Sequence, residues 1–273
     1  MGSPNISFDK IPASIRKPGK YLEFNTRLAV RTLPANAQRV LVLGQRLAAG
    51  TVAALEAMQV FSDDEAADCF GQGSMLHRMV RAAIRAFPYI DLTCIALDDA
   101  AAGVAATGTA TMAGTSTGSG VASVQIGNDL VLVAVASGDT AAEVAAALKA
   151  QADQLTDLPV LATVNAGVLT LTAKHKGALG NLIKVAASCT ASGLTATATA
   201  MTGGATDPTL TEALAAVASA GHHVLITPYA DQAGLTALRE HLEFTGGPLE
   251  QRGAFGAYAT SGTLAASTTL AGL

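Results

Sequence analysis

Apolar positions along this chain form two kinds of run, separated by stretches with no period. The continuous runs Arg39-Val40-Leu41-Val42-Leu43-Gly44, 90–97 and His223-Val224-Leu225-Ile226-Thr227-Pro228 read as strands covered on both faces, as in a parallel sheet. Between the first two the spacing becomes helical. Ser62 before Asp63-Asp64-Glu65 is an N-cap with an acidic first turn, predicting a short helix to Phe70. Ser74 caps a longer helix whose apolar face holds Met75, Met79, Ala82, Ala83 and Ala86, with His77, Arg78, Arg81 and Arg85 pointing elsewhere; Pro88 ends it. Beyond residue 205 the alternation resumes, with helices over 208–218 and 232–244, strands over 223–228 and 253–259, and an apolar helix from about Thr263.

The stretch 98–205 reads differently. After Asp98-Asp99 no charged residue occurs from Ala100 to Val121. Six β-type runs follow, at 106–113, 121–126, 130–135, 160–164, 168–173 and 183–187. Gly127-Asn128-Asp129 and Asn165-Ala166-Gly167 are hairpin turns, and between them Asp139 or Thr140 caps an Ala-rich helix to about Leu155. Neither flanking α/β stretch has enough strands for a covered sheet, so the two are expected to share one, with Val40, Val42, Ile95, Leu225 and Ile226 in its core. The predicted fold is mixed, α+β or α/β: an extended arm at 1–25, a first α/β segment at 26–97, an inserted β-rich domain at 98–205 and a second α/β segment at 206–273. The chain stops inside its last helix, as a truncated gene would.

Residues 1–25 carry Pro4, Pro12 and Pro18, a density that keeps the chain extended. Ile6, Phe8, Ile11, Ile15, Tyr21 and Phe24 are too apolar for a solvated tail, so this arm is expected to pack on a partner, a second copy of the subunit. Charge supports that expectation. Residues 1–50 hold eight basic side chains, among them Arg16, Lys17 and Lys20, against Asp9 and Glu23, which leaves this segment at +6 and the rest at −10 within a total of −4. A nucleic-acid partner is disfavoured because the basic charges are diluted by Pro, Leu and Val.

Half the residues are hydrophobic but only 4% are aromatic and none is Trp, so the core is expected to be built from small aliphatic side chains. Cys69, Cys94 and Cys189 are odd in number and far apart, against both a disulfide framework and a CxxC zinc site. No apolar run reaches the roughly 18 residues of a membrane span, and the start lacks an h-region. A soluble protein made in the cytoplasm, without membrane insertion, is expected.

Several stretches resemble the Mu-like family of phage and prophage contractile tail sheath proteins. They are Ile6-Ser7-Phe8-Asp9-Lys10-Ile11-Pro12-Ala13-Ser14-Ile15-Arg16-Lys17-Pro18-Gly19 with Tyr21 and Glu23-Phe24; Arg39-Val40-Leu41-Val42-Leu43-Gly44-Gln45; Phe61-Ser62-Asp63; Phe70-Gly71-Gln72-Gly73-Ser74-Met75-Leu76; Leu97-Asp98-Asp99; Gly103-Val104-Ala105-Ala106-Thr107-Gly108; Thr170-Leu171-Thr172-Ala173-Lys174-His175-Lys176-Gly177; and Pro228-Tyr229. The resemblance implies a homo-oligomeric, helical assembly of sheath subunits around a tail tube protein, joined to a baseplate and contracting to drive the tube into the host. It implies a virion protein assembled in the bacterial cytoplasm, a subtilisin-like discontinuous α/β domain, an insertion on the outside, and an arm that adds strands to neighbouring sheets through Ile6, Phe8, Ile11, Ile15, Arg16, Lys17, Lys20 and Tyr21. Family members continue past the end of this chain.

The residues offer little catalytic chemistry, and no catalytic residue, cofactor or metal is expected. Thr260-Ser261-Gly262 before an apolar helix suggests a hydrolase nucleophile, with His222-His223 supplying a base, but the Gly-x-Ser-x-Gly pattern is missing. Gly71-Gln72-Gly73 lacks the third glycine of a dinucleotide fingerprint and reads as an interhelical turn. Asp63, Asp64, Glu65 and Asp68 lack calcium-loop spacing and suit a helix N-terminus. His175, between Lys174 and Lys176, reads as a solvated turn. An α/β hydrolase with a decorated insertion is the alternative reading; an adhesin-like module suggested by the Thr/Ala-rich strands would need a secretion signal.

Overall fold

The computed structural model describes residues 19–20, 38–261 and 263–271. The chain divides into a unit Met1–Ala37 and a unit Gln38–Leu273. In the first unit Gly19 and Lys20 are described, both exposed. The sequence-predicted arm residues Ile6, Phe8, Ile11, Ile15, Arg16, Lys17 and Tyr21 lie outside the described residues.

The second unit begins with β1 (Arg39–Gln45), β2 (Ala57–Gln59), α1 (Asp63–Phe70), α2 (Met75–Ala86) and β3 (Asp91–Leu97). Next come β4 (Ala105–Gly114), β5 (Gly120–Ile126), β6 (Asp129–Val135), α3 (Ala141–Gln154), β7 (Val160–Asn165) and β8 (Val168–Lys176). A 3-10 turn at Ala178–Leu182 leads to β9 (Val185–Cys189) and β10 (Leu194–Thr202). The described chain closes with α4 (Thr211–Val217), β11 (Val224–Thr227), α5 (Gln232–Gly246), β12 (Phe255–Tyr258) and α6 (Leu264–Ala271). The result is a mixed α/β fold with three sheets and six α-helices among the described residues.

The five-stranded sheet has the order β12-β11-β1-β3-β2 and is parallel except for β2. Strand β1 pairs with β3 on one side, Val42 opposite Cys94, and with β11 on the other, Val42 opposite Ile226. Its continuous apolar run is explained by burial on both faces. Val40 and Val42 face the α1–α2 side with Phe70, Leu76, Val80 and Cys94. Leu41 and Leu43 face the α4–α5 side with Ile95, Leu214, Leu225 and Leu238. Burying each such side chain contributes about 1.5–3 kcal/mol.

The stretch 105–202 forms two antiparallel sheets, β10-β4-β8-β7 and β6-β5-β9, around a separate apolar cluster that includes Val124, Ile126, Leu148, Leu169 and Leu171. Thr140 caps α3 in a reciprocal capping box with Glu143, from the two N-caps the sequence allowed. Strand β10 is absent from the sequence prediction. Its Leu194-Thr-Ala-Thr-Ala-Thr-Ala-Met-Thr202 alternation holds few large apolar groups, and only Leu194 and Met201 are buried. The run predicted at 183–187 lies two residues later, at Val185–Cys189, because the 3-10 turn occupies the preceding residues.

Helix α2 is rotated from the predicted orientation. Leu76, His77 and Val80 are buried, Met75 and Met79 are half-buried, and Ala82 and Ala86 are exposed. The cause lies in β1: a Cβ built on Gly44 would stand 3.3 Å from the Leu76 Cα, so glycine there admits the Leu76 stripe against the sheet.

Candidate functional site

Two polar clusters join the α/β part to the β-rich stretch, and both converge on α2. The first begins at the turn between α1 and α2. Gly73 has φ +74, and a Cβ there would stand 2.7 Å from the Thr156 carbonyl oxygen, so this turn packs directly on the loop before β7. The Gly73 amide donates to His77 Nδ1 at 3.0 Å, which leaves the Nε2 hydrogen to donate to Asp63 Oδ1 at 3.0 Å. His77 is therefore a buried connector rather than a solvated face residue.

Arg81 completes this cluster. Its Nε donates to both Asp63 oxygens at 2.9 Å, and its Nη1 donates to Asp157 Oδ2 at 2.7 Å. Gln72 Nε2 reaches Asp157 Oδ1 at 3.1 Å, while Arg78 reaches the Asp157 carbonyl and Asp129 Oδ2, each at 3.2 Å. Burial pushes the Asp63 carboxyl up, but Arg81 and His77 together outweigh it and hold the group below its ordinary range. Hydrogen bonding from Arg81 holds Asp157 down in the same way.

The second cluster sits where the chain crosses between the two parts. Gln45, fully buried at the end of β1, donates Nε2 to Asp99 Oδ1 and to the Lys176 carbonyl, both at 2.7 Å. The Lys176 amide donates to Asp99 Oδ2 at 3.1 Å. His175 Nε2 accepts from the Met75 amide at 2.9 Å, capping α2 from another segment, so its Nδ1 hydrogen faces Asp99 Oδ1 at 3.3 Å. His175 thus lies buried on β8, which corrects the solvated turn expected from its lysine neighbours. Burial raises Asp99, yet the His175 and Lys176 hydrogen bonds bring its carboxyl below the ordinary range. Val104 and Ala205 exchange backbone hydrogen bonds at 3.0 and 3.1 Å, and Asn181 pairs with both backbone groups of Gly204.

The remaining sequence candidates are dispersed. Ser261 is exposed beyond β12, and His223 Nδ1 accepts the Arg39 amide at 3.0 Å. Burial, then Arg39, lowers the His222 pKa. Gly71-Gln72-Gly73 is the interhelical turn, and Asp63 is committed to Arg81 and His77. Cys69 and Cys94 are buried thiols whose pKa values burial raises. Among the described residues no His, Cys, Asp and Glu group fits a metal ion, and no helix is long and apolar enough to cross a membrane. Edge strand β12 is exposed throughout, with Phe255 at 78%, and Leu249 and Leu264 stand out beside it in sequence. Sequence reasoning missed Arg81, Asp157 and Asp99 as connectors, because their partners lie far along the chain.

No family model matches the chain. The Mu-like prophage FluMu tail sheath protein of Haemophilus influenzae is 37% identical over 274 residues, covering 98% of this chain and 56% of the relative. Two solved sheath tail proteins also align over part of their length. That of Listeria innocua has 16% identity and TM-score 0.31, over 80% of this chain and 46% of its own. That of Desulfitobacterium hafniense has 15% and 0.33, over 87% and 52%. The chain spans little more than half the length of its curated relative, and over nearly all of its own length it is similar to that Mu-like prophage tail sheath protein.

Proposed function

We propose that this chain belongs to a structural subunit of a contractile phage tail sheath, which polymerises with its own copies around a tail tube, meets a baseplate and contracts to drive the tube through the host envelope. The observation that carries the reading is 37% identity to a Mu-like prophage tail sheath protein, sustained over 98% of the chain. In this reading the protein is a virion component assembled in the host cytoplasm, its partners are proteins rather than nucleic acid, and it catalyses nothing. Residues 26–97 and 206–273 make one discontinuous, subtilisin-like domain that carries 98–205 as an insertion. The pairing of β1 with β11 and the separate apolar clusters support that division.

Residues 1–25 act as the arm, with Ile6, Phe8, Ile11, Ile15 and Tyr21 seated on a neighbour and Arg16, Lys17 and Lys20 steering it to an acidic body. The +6 and −10 charge split and the exposed β12 edge support this. The test expresses a complete gene product containing this sequence, with and without residues 1–21, and looks for tubes or rings by negative-stain microscopy. Tubes are expected from the intact protein and a folded monomer from the deletion. An intact protein that never polymerises overturns the sheath reading, whereas polymerisation of the deletion overturns only the arm's role. Ser261→Ala separates the hydrolase alternative, since a sheath subunit has no turnover to lose.

A further inference from the structure

The α/β part and the β-rich stretch share almost no apolar core. Among the described residues, the apolar side chain from 105–202 that packs on the α/β clusters is Leu179. Their relative orientation is therefore fixed by polar contacts, and such interfaces permit relative motion by default. The two polar clusters differ in kind. Around Asp99, Gln45 and His175 are buried and the backbone is paired across the crossing. At the far end, Arg81, Asp63 and Asp157 keep side-chain exposures of 20, 39 and 39%, where water and salt compete.

Between the clusters lies a cleft of about 300 Å³, with Met75, Met79 and Ala82 of α2 on one wall and Ala173, Leu179 and Ile183 on the other. A junction built as a continuous core would be filled at this point. We propose that Arg78 and Arg81 are a latch: bound to Asp129 and Asp157 they hold the β-rich stretch against α2, and when released they let it swing about the Asp99 neck and open the cleft. Gly73 belongs to the closed state, because its missing side chain allows the turn to rest on Thr156. This device is independent of the sheath reading.

The test places spin labels at Ala86→Cys and Thr163→Cys, both exposed sites, in a Cys189→Ser background, and measures their distance distribution by pulsed electron paramagnetic resonance. The labelled protein is expected to give one narrow distance. Arg78→Gln with Arg81→Gln is expected to broaden and lengthen it while the far-UV circular dichroism spectrum is retained. Lys149→Gln, which removes the exposed ion pair to Asp153 within α3, is expected to leave it unchanged. An unaltered narrow distribution in a folded double variant overturns the latch. Should that variant fail to fold, raising salt to about 1 M in the otherwise unaltered labelled protein screens the same partly exposed pairs, and an unmoved distribution there overturns it equally.

Discussion

Replacing Asp99 with Ala should destabilise the fold by about 3 kcal/mol, because one carboxylate satisfies three donors at the crossing. It accepts Gln45 Nε2 at 2.7 Å, the Lys176 amide at 3.1 Å and His175 Nδ1 at 3.3 Å. Alanine leaves His175 Nδ1–H and the Lys176 amide without an acceptor, while Gln45 retains the Lys176 carbonyl. Hydrogen bonds to a charged group contribute roughly 1.5–3 kcal/mol each, and relief from burying the carboxylate offsets part of their sum. Asp99→Asn keeps the shape and one acceptor and should lose about half as much. The chain has no Trp, so denaturant unfolding is followed by far-UV circular dichroism.

Acid provides an independent check on that carboxylate. Its folded pKa is depressed, so its stabilisation is complete above the unfolded value of about 3.9 and is lost as pH falls through the folded one. The gap between the parent and Asp99→Ala should stay constant from about pH 5 to 8 and shrink below about pH 4. A neutral-pH loss under about 0.5 kcal/mol, or a gap undiminished in acid, would refute this account of the neck.

Much of the frame was legible because local and tertiary demands coincide. Val40-Leu41-Val42-Leu43 reads as a doubly buried strand and is one; Ser62, Ser74 and Thr140 read as caps and accept the expected amides. What escaped was set by distant partners. Helix α2 has two candidate apolar stripes, Met75 with Met79 and Leu76 with Val80, and the choice depends on Gly44 in another element. His77 looks solvent-facing by type, yet the Gly73 amide and Asp63 satisfy it inside. The short strand β2 exists through its pairing with β3, and β10 through its pairing with β4, neither of which local composition announces. Arg81 and Asp157 stand 76 residues apart, and no spacing rule joins them.

Four further outcomes test the packing. Tyr229→Phe should leave stability unchanged or raise it by about 1 kcal/mol, since Tyr229 Oη is buried and finds no hydrogen-bond partner among the described residues; a clear loss on melting would show that the hydroxyl is satisfied. Gly50→Ala should cost about 2 kcal/mol in denaturant, because the new Cβ would stand 2.5 Å from the Cys69 carbonyl oxygen, and a neutral result would mean that the loop yields freely. Burial, aided by Arg39 at His222 and Arg252 at His241, lowers both histidines below 6.5. The unfolded chain therefore takes up protons first, so stability should be full above about pH 6.5 and fall below it, and His222→Gln with His241→Gln should flatten that slope. Finally, residues 98–205 should fold alone. Their apolar cluster is drawn from their own strands and α3, with both hairpins and the Thr140 cap inside the segment, and among the described residues Leu179 is the apolar side chain that packs on the flanking clusters. A dispersed amide spectrum and a cooperative melt are expected; a fragment with neither would mean that the α2 contacts through His175 and Asp157 are needed to form the β-rich core, not merely to orient it.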